Sequence, residues 1–256
     1  MKDKEIVNKL RDDAEYYGDF GRQYISNSDI KNLMYDPAQY GAVQDNNLNF
    51  EKGRYFHQLI LEPNKAKEFP ICNYKGRNTK AYKEFLLENN LEFALTSQEA
   101  IDIKDMVDYL LNKSPTISDL ITNIDAEYEV PQIGQIFGRM FKGKADIISN
   151  ELIIDLKSTS DIHKFKKSAY LYNYDSQAFI YQTIFGLPIT FIVVGKERKY
   201  FGKSNLPYFD IGVFPTSEEF IMSGKQKVEI AMQNYEKFFG PDSTDSIEDL
   251  IINTPL

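Results

Sequence analysis

The sequence lacks the features of a secreted, membrane-spanning or thiol-based protein. It has one cysteine, Cys72, which excludes a disulfide framework or a multi-cysteine metal site within a single chain. No apolar run approaches the ~18–20 residues that a membrane span needs, and the opening residues MKDKEIVNKL are too polar for a secretory signal peptide. We therefore expect no membrane association and a reducing, cytoplasmic environment.

Several common catalytic motifs are also missing. Residues 138–145 (GRMFKGKA) imitate a phosphate-binding loop, but Ala145 replaces the Ser or Thr that would hold Mg²⁺. Lys144 also opens a predicted strand where that motif requires a helix. The sequence has no G-x-S-x-G elbow, and His163 has no companion at the spacing of a structural zinc site.

The composition is that of an ordinary globular protein, with 256 residues of which 42% are hydrophobic and 27% charged. We expect one domain over residues 1–256, with a loosely attached helix in residues 1–20 and an acidic tail at 241–256. The net charge of −8 argues against indiscriminate coating of nucleic acid, although a local basic surface remains compatible with it.

Hydrophobic periodicity predicts helices and strands that follow one another along the chain. Ser26 or Ser28 can cap a helix that ends near Asp36-Pro37. Further helices are predicted at 50–61, 78–91, 97–112, 162–185 and 217–239. Strands are predicted at 127–137, where Pro131 and Gly134 interrupt the pattern, and at 144–157 (a hairpin), 189–195 and 208–214. The fold class is therefore α/β or α+β.

The segment GKADIISNELIIDLK, residues 143–157, has the pattern of a β-hairpin. A two-residue turn at Ser149-Asn150 would place Asp146 opposite Ile153. Because side chains alternate along a strand, Asp155 and Lys157 share the face of Ile153, and Asp146 joins them. The other face is then expected to hold Ala145, Ile147, Leu152, Ile154 and Leu156. A three-residue loop would instead turn Asp146 away from Asp155.

Two neighbouring carboxylates suit a hard divalent cation such as Mg²⁺, which takes oxygen ligands and retains several waters. Such an ion can hold a phosphate oxygen and lower the pKa of a bound water, and a nearby lysine can orient that water or stabilise developing charge. This is chemistry for phosphodiester hydrolysis. The alternative is a plain surface hairpin, in which Asp155 pairs with Lys144 across the strands for about 0.2–1 kcal/mol.

Asp146 followed by Asp155-Leu156-Lys157 resembles the D…(D/E)-x-K signature of the PD-(D/E)XK nuclease superfamily, with Ala145 in place of the usual proline. Three further blocks are similar to the RecE-like (exodeoxyribonuclease VIII) phage and prophage exonucleases. They are YISNSDIKNLMYDPAQY at 24–40, GRYFHQLILEP at 53–63 and YDSQAFIYQ at 174–182. The resemblance implies a restriction-endonuclease-like core, in which helices flank a central mixed β-sheet.

The resemblance also implies roles for single residues. Asp146 and Asp155 would bind the metal with the Leu156 carbonyl as a further ligand, while Lys157 would position the attacking water. His57 matches a histidine that contributes to the metal site in this family, although a lone histidine on an apolar helix is otherwise a hydrogen-bonded core residue. Mg²⁺ is the expected cofactor, and Mn²⁺, which suits imidazole better, is an expected substitute.

Other residues are expected around the DNA end. Glu129 matches a strand glutamate of the family, and Glu127 on the same face is the open alternative for that role. Gln177 and Tyr181 share a helix face, and the resemblance places both near the DNA and Gln177 at the catalytic site. Tyr181 as a plain core residue is the alternative. Phosphate contacts are expected from Arg139, Lys142, Lys164, Lys166 and Lys167.

The resemblance implies a metal-dependent exonuclease that degrades linear double-stranded DNA from 5′ to 3′ and exposes single strands for recombination. It further implies a ring-shaped homo-oligomer that works beside a RecT-like single-strand annealing protein in a bacterial host cell. A structure-specific endonuclease of the same superfamily and a catalytically inactive DNA-end-binding module are the alternatives.

Overall fold

The computed structural model describes residues 3–42, 47–74, 76–112, 114–203, 205–243 and 245–246, so most of the expected acidic tail at 241–256 lies outside the described residues. The helices are α1 Asp3–Lys9, α2 Asp13–Tyr17, α3 Asn27–Tyr35, α4 Leu48–Leu61, α5 Pro63–Lys67, α6 Lys80–Glu88, α7 Ser97–Asn112, α8 Pro115–Thr122, α9 Phe165–Leu171, α10 Tyr174–Phe185 and α11 Glu218–Phe239. The strands are β1 Ile71–Cys72, β2 Leu95–Thr96, β3 Glu127–Ile136, β4 Arg139–Ser149, β5 Leu152–Thr159, β6 Ile189–Gly195, β7 Lys199–Tyr200, β8 Pro207–Tyr208 and β9 Ile211–Pro215.

A five-stranded mixed sheet in the order β3-β4-β5-β6-β9 forms the centre of the molecule. The β5–β6 pair is parallel, and the other neighbours are antiparallel. One face of the sheet buries Ile154 and Leu156 against α4, α7 and α8, and the other buries Ile153 and Phe191 against α3, α9, α10 and α11. The predicted mixed sheet flanked by helices is therefore confirmed.

Local capping explains where several helices begin. Ser26 and Asp29 form a reciprocal capping box at the start of α3, so Ser26 rather than Ser28 is the cap. The side chains of Asn47 and Ser217 accept amide hydrogen bonds at the starts of α4 and α11. Among the described residues, none of the helices combines the length and the apolar character that crossing a membrane requires.

Strand β3 is continuous, although the sequence predicted interruptions at Pro131 and Gly134. Pro131 pairs with Lys144, and Gly134 pairs with Phe141. Proline is tolerated because β3 lies at the edge of the sheet, where half of the backbone amides need no partner strand. Glycine is required because a Cβ at position 134 would lie 2.9 Å from Ile184 of α10.

The turn of the β4–β5 hairpin is Asn150-Glu151 and not the predicted Ser149-Asn150. Both residues have positive φ, 51° and 59°, as a tight two-residue hairpin turn requires. Ile148 therefore pairs with Ile153, a shift of two positions from the predicted register. An even shift does not change which side chains share a face, so the expected convergence of the acidic residues survives this correction.

Ala145 corrects the predicted face assignment. It packs in the same core cluster as Ile153, whereas Ile147, Ile154 and Leu156 lie in the opposite cluster. Regular β4–β5 pairing extends from Ser149 to Ile147, and the Leu156 amide then donates to the Asp146 carboxylate. Alternation along β4 is therefore interrupted at Asp146, where the two strands separate.

Two further expectations differ from the structure. The predicted helix at 162–185 is divided into α9 and α10, because Asn173 adopts a left-handed conformation with φ 58°. The N-terminal segment is not loosely attached, since Leu10 is fully buried and Tyr16 is 7% exposed, in a cluster with Ile133 of β3. A single domain over residues 1–256 stays a prediction.

Candidate active site

A cleft of about 550 Å³ opens between α2, α4 and the point where β4 and β5 separate. Strand β4 contributes Asp146, β5 contributes Asp155 and Lys157, α4 contributes His57, and α10 contributes Gln177. The structure therefore brings all three residues of the predicted signature to one cavity, which is also lined by four of the other expected site residues: His57, Glu129, Gln177 and Tyr181.

Asp155 is held from two sides although it is only 1% exposed. The Lys157 ammonium forms an ion pair with its Oδ1, and the Gln177 amide donates to its Oδ2 at 2.6 Å. Burial raises the pKa of Asp155 to about 6, with Lys157 opposing the rise and the Asp146 carboxylate adding to it. The Lys157 ammonium also lies 4.8 Å from the centre of the Tyr174 ring, a cation–π contact.

Asp146 and the Leu156 carbonyl share a partner in His57. The Nε2 atom of His57 lies 2.9 Å from the Leu156 carbonyl oxygen and 3.2 Å from Asp146 Oδ2, while Nδ1 contacts the Gly53 carbonyl. Burial lowers the pKa of His57, but attraction to Asp146 outweighs it and raises the value to about 9. Burial raises the pKa of Asp146, yet His57 and Lys157 hold it below its ordinary range.

The donor chemistry of this site fits a hard divalent cation. Within the described part of the chain, no three His, Cys, Asp or Glu side chains form a complete metal cluster. Mg²⁺ does not require such a cluster, because it is usually bound by one or two carboxylates together with waters and substrate phosphates. Asp146, Asp155 and the Leu156 carbonyl supply oxygen donors of this kind, and the His57 imidazole contacts two of them.

The structure separates the two candidate strand acids. Glu129 lines the cleft, whereas Glu127 is exposed at the start of β3. Glu129 has a φ of 51°, and burial together with the Asp146 carboxylate raises its pKa to about 7. A role for Glu129 in metal binding stays a prediction.

Tyr181 is mainly a packing residue. It is 8% exposed, belongs to the core cluster on the α10 face of the sheet, and donates its hydroxyl to the Lys144 carbonyl at 2.9 Å. A Cβ at Gly143 would lie 2.8 Å from this ring, so the glycine permits α10 to approach β4. The core alternative thus describes its packing, and a contact with DNA stays a prediction.

The expected basic residues fall into two groups. Lys142 is 5% exposed and donates to the Tyr16 carbonyl, so its expected phosphate contact is wrong for this structure. Arg139 forms a bidentate ion pair with Glu236, with both nitrogen–oxygen distances 2.6 Å. Lys166 and Lys167 are exposed on α9, and Lys164 just before it pairs with Asp161. Phosphate contacts by these three lysines stay predictions.

Sequence reasoning missed the wall that the N-terminal segment builds beside the cleft. Asp13 pairs with Lys144 of β4 and with Lys65 of α5, each at 2.6 Å, so the surface pairing of Lys144 with Asp155 does not occur. Tyr16 and Tyr17 also line the cleft. Asp13 and Lys144 are 131 residues apart, a separation at which no local pattern signals a contact.

A family model described as "PDDEXK-like domain of unknown function (DUF3799)" matches residues 26–240 of this chain. The chain belongs to this PDDEXK-like family. The match confirms the predicted superfamily, and it covers every residue named above in the cleft except Asp13, Tyr16 and Tyr17. A nuclease role for the PDDEXK-like domain is therefore supported by family and by site geometry.

A solved structure shows the same fold. The PDDEXK-like domain resembles a "putative exonuclease" from Eubacterium rectale with a TM-score of 0.60 and 14% identity, covering 96% of this chain and 95% of that one. A phage-related exonuclease from Haemophilus somnus 129PT is 17% identical with a TM-score of 0.31, covering 64% of this chain and 88% of that one. No curated protein matches the chain significantly.

Proposed function

We propose that this PDDEXK-like domain is a metal-dependent exonuclease that degrades linear double-stranded DNA. The observation that carries the proposal is the meeting of Asp146, Asp155 and Lys157 in one cleft, with Gln177 bound to Asp155. A module that only binds DNA has no need for two carboxylates and an ammonium group in a shared pocket. The exonuclease name of the Eubacterium rectale structural neighbour points in the same direction.

Asp146, Asp155 and the Leu156 carbonyl would hold Mg²⁺, with Mn²⁺ as a substitute, and His57 and Glu129 are further proposed contributors. When bound, the cation supplies Lewis-acid activation of the phosphate and lowers the pKa of a water ligand. Lys157 is fixed by Asp155 and Tyr174, so its charge is available to a phosphate oxygen in the cleft or to the attacking water. Gln177 orients the Asp155 carboxylate by its hydrogen bond.

Substrate ends, polarity and partners belong to the same proposal and derive from the resemblance to RecE-like exonucleases. We propose digestion from 5′ to 3′, a ring-shaped homo-oligomer around the duplex, and cooperation with a RecT-like annealing protein in the cytoplasm of a bacterial host. The exposed lysines Lys164, Lys166 and Lys167 would contact the phosphate backbone.

End-labelled linear duplex and closed circular duplex, each incubated with the purified chain and Mg²⁺ or with EDTA, test the proposal. Degradation of linear DNA alone, dependent on the metal, is the expected result. Cutting of circles would instead establish an endonuclease, and binding without loss of label would establish an inactive end-binding module.

Lys157→Ala supplies the site-specific comparison, and Lys80→Ala on α6 is its matched control, because the Lys80 side chain is 90% exposed. We expect Lys157→Ala to lose activity while remaining folded, and Lys80→Ala to match the unaltered protein. Full activity of Lys157→Ala would overturn the site assignment.

A further inference from the structure

Tyr17 is an exposed aromatic side chain at the edge of the catalytic cleft. It is 64% exposed, although it lines the cleft together with Asp146 and Asp155. Tyr17 therefore presents an accessible aromatic ring in the cleft that holds the carboxylates of the proposed metal site.

Neighbouring residues fix the position of the Tyr17 ring. The neighbouring Tyr16 is 7% exposed and packs edge-on against Tyr17 with ring centres 4.9 Å apart. Asp12 caps α2, and Asp13 forms ion pairs with both Lys144 and Lys65. The Lys144 ammonium lies 5.7 Å from the Tyr17 ring centre. A ring on such a support needs little ordering when it binds a flat partner.

Tyr17 also stands between two cavities. A second cavity of about 460 Å³ shares Tyr16, Tyr17 and Tyr181 with the catalytic cleft. A strand whose phosphate reaches the buried Asp155 must enter this region, because Asp155 is 1% exposed and lies at the base of the cleft. A nucleotide that has separated from the end of the duplex can reach this depth, and its base would then lie near Tyr17.

An unpaired nucleotide loses the stacking that the duplex gave to its base. Aromatic side chains replace such stacking in proteins that bind single strands, and they do so with little sequence preference because every base has a flat face. From these observations we propose that Tyr17 is a base-stacking platform that positions an unpaired nucleotide next to the phosphodiester bond at Asp146 and Asp155. This inference rests on the nuclease function proposed above.

The test combines a protein change with a substrate change. Linear duplexes carrying one abasic nucleotide at successive positions from the end are cleaved under single-turnover conditions by the unaltered protein, Tyr17→Ala, Tyr17→Phe and Tyr35→Ala. Tyr35→Ala is the matched control, because Tyr35 is 71% exposed on α3 and does not line either cavity. We expect Tyr17→Ala to slow cleavage of intact DNA about tenfold, which corresponds to about 1.4 kcal/mol.

The decisive readout is the loss of additivity. At one abasic position the unaltered protein and Tyr17→Phe should slow about tenfold, whereas Tyr17→Ala should slow no further because the stacking partner is already gone. The platform would be overturned if Tyr17→Ala and the unaltered protein cleaved intact DNA at equal rates. It would also be overturned if the effects of the abasic nucleotide and of Tyr17→Ala multiplied at every position. Circular dichroism establishes that each variant is folded, and Tyr17→Ser replaces Tyr17→Ala if the latter is not.

A binding measurement separates this inference from the nuclease function itself. An oligonucleotide with 2-aminopurine at its unpaired end is titrated with protein in Ca²⁺. Stacking on Tyr17 should quench the fluorescence with the unaltered protein but not with Tyr17→Ala. If the unaltered protein quenches the fluorescence, Tyr17→Ala does not, and the DNA is never cleaved, then the exonuclease proposal fails and the stacking platform is supported. If the DNA is cleaved but the unaltered protein and Tyr17→Ala quench the fluorescence equally, then the stacking platform fails and the nuclease function is supported.

Discussion

Among the residues that the structure describes, two aspartates are almost completely buried, and they differ in what surrounds them. Asp175 at the start of α10 is 0% exposed and binds Lys227 at 2.8 Å and Ser223 at 2.7 Å, both on α11. Asp155 is 1% exposed and binds Lys157 and Gln177, but it also lines an open cleft that contains a second carboxylate, Asp146. Burial of a charge therefore does not by itself distinguish the two sites; the proposed metal site differs in having a second carboxylate in an open cleft.

The environments of Asp175 and Asp155 imply opposite effects on the stability of the fold. The Asp175 network joins two helices, and Gly224 packs so closely that a Cβ there would lie 1.9 Å from the Asp175 carbonyl. Around Asp155 the like charge of Asp146 adds to the cost of burial, and this raises the pKa of Asp155 to about 6. We infer that the first aspartate stabilises the fold and the second is kept at the expense of stability.

Asp155→Asn should have the largest effect on activity. The substitution preserves size but removes the proposed ligand charge, so we expect the single-turnover cleavage rate to fall by about 10²–10³-fold or more. Its free energy of unfolding in urea should stay within about 1 kcal/mol of the unaltered protein or rise, because burial raises the pKa of Asp155 and the Lys157 ammonium keeps the attraction of Asp146 when position 155 is neutral. A variant that unfolds readily and cleaves normally would reverse the comparison.

Asp175→Asn should show the opposite pattern. Removing one partner of a buried ion pair leaves the Lys227 charge uncompensated, and we expect a loss of about 3–5 kcal/mol in the free energy of unfolding. The cleavage rate per folded molecule should not change. The double variant Asp175→Leu/Lys227→Met is the control, because it removes both charges and should recover part of the loss; equal instability of both variants would contradict the ion-pair explanation.

Gly224→Ala tests whether close helix packing supports the Asp175 network. The added methyl group meets the Asp175 backbone, so α10 and α11 must separate, at a cost of about 1–3 kcal/mol. Gly53→Ala in α4 is the matched control, because its Cβ would meet nothing within 4 Å. Alanine is the better helix former by about 0.5–1 kcal/mol, so Gly53→Ala should be stabilising. Thermal unfolding of both variants distinguishes packing from helix propensity.

Lys142 provides a third buried charge, bound to a neutral carbonyl rather than to a carboxylate. Burial lowers its pKa to about 8 in the folded state, below the ~10.4 of an unfolded chain. Below pH 8 Lys142 is protonated in both the folded and the unfolded state, so the folded protein bears the full free-energy cost of burying this charge. Between the folded pKa and the unfolded pKa of Lys142, the unfolded chain binds more protons than the folded chain. The free energy of unfolding therefore rises with pH over this range.

We therefore expect Lys142→Met to be more stable than the unaltered protein at pH 7, by about 1–2 kcal/mol, and this advantage to shrink as the pH approaches 10. Urea unfolding of both proteins across this range gives the difference directly. An advantage that does not change with pH would show that Lys142 is not a buried, titrating charge.

The sequence predicted those elements whose signals are local. Helix α7, strand β6 and the end of α10 at Gly186 follow from periodicity, a β-branched run and a left-handed glycine cap. Asp155 and Lys157 share a face because alternation is a property of any strand. The turn was misplaced by one residue, yet Asp146 and Asp155 still meet in one cleft because an even register shift preserves the face.

Features that depend on distant contacts were not predictable in this way. The predicted helix is interrupted at Asn173 because α10 must pack against α11, where Lys227 donates to the Asn173 side chain. Lys142 and Arg139 looked available for phosphate, but their partners Tyr16 and Glu236 are 126 and 97 residues away. The wall formed by Asp13 and Tyr17 likewise depends on contacts that only the folded chain creates.

A crystal of the protein soaked in Mn²⁺ and measured at the manganese absorption edge tests the central claim most directly. The account predicts an anomalous peak in the cleft about 2.1 Å from carboxylate oxygens of both Asp146 and Asp155 and from the Leu156 carbonyl oxygen. An occupied manganese site elsewhere, with Asp146 and Asp155 bound to protein groups alone, would contradict it.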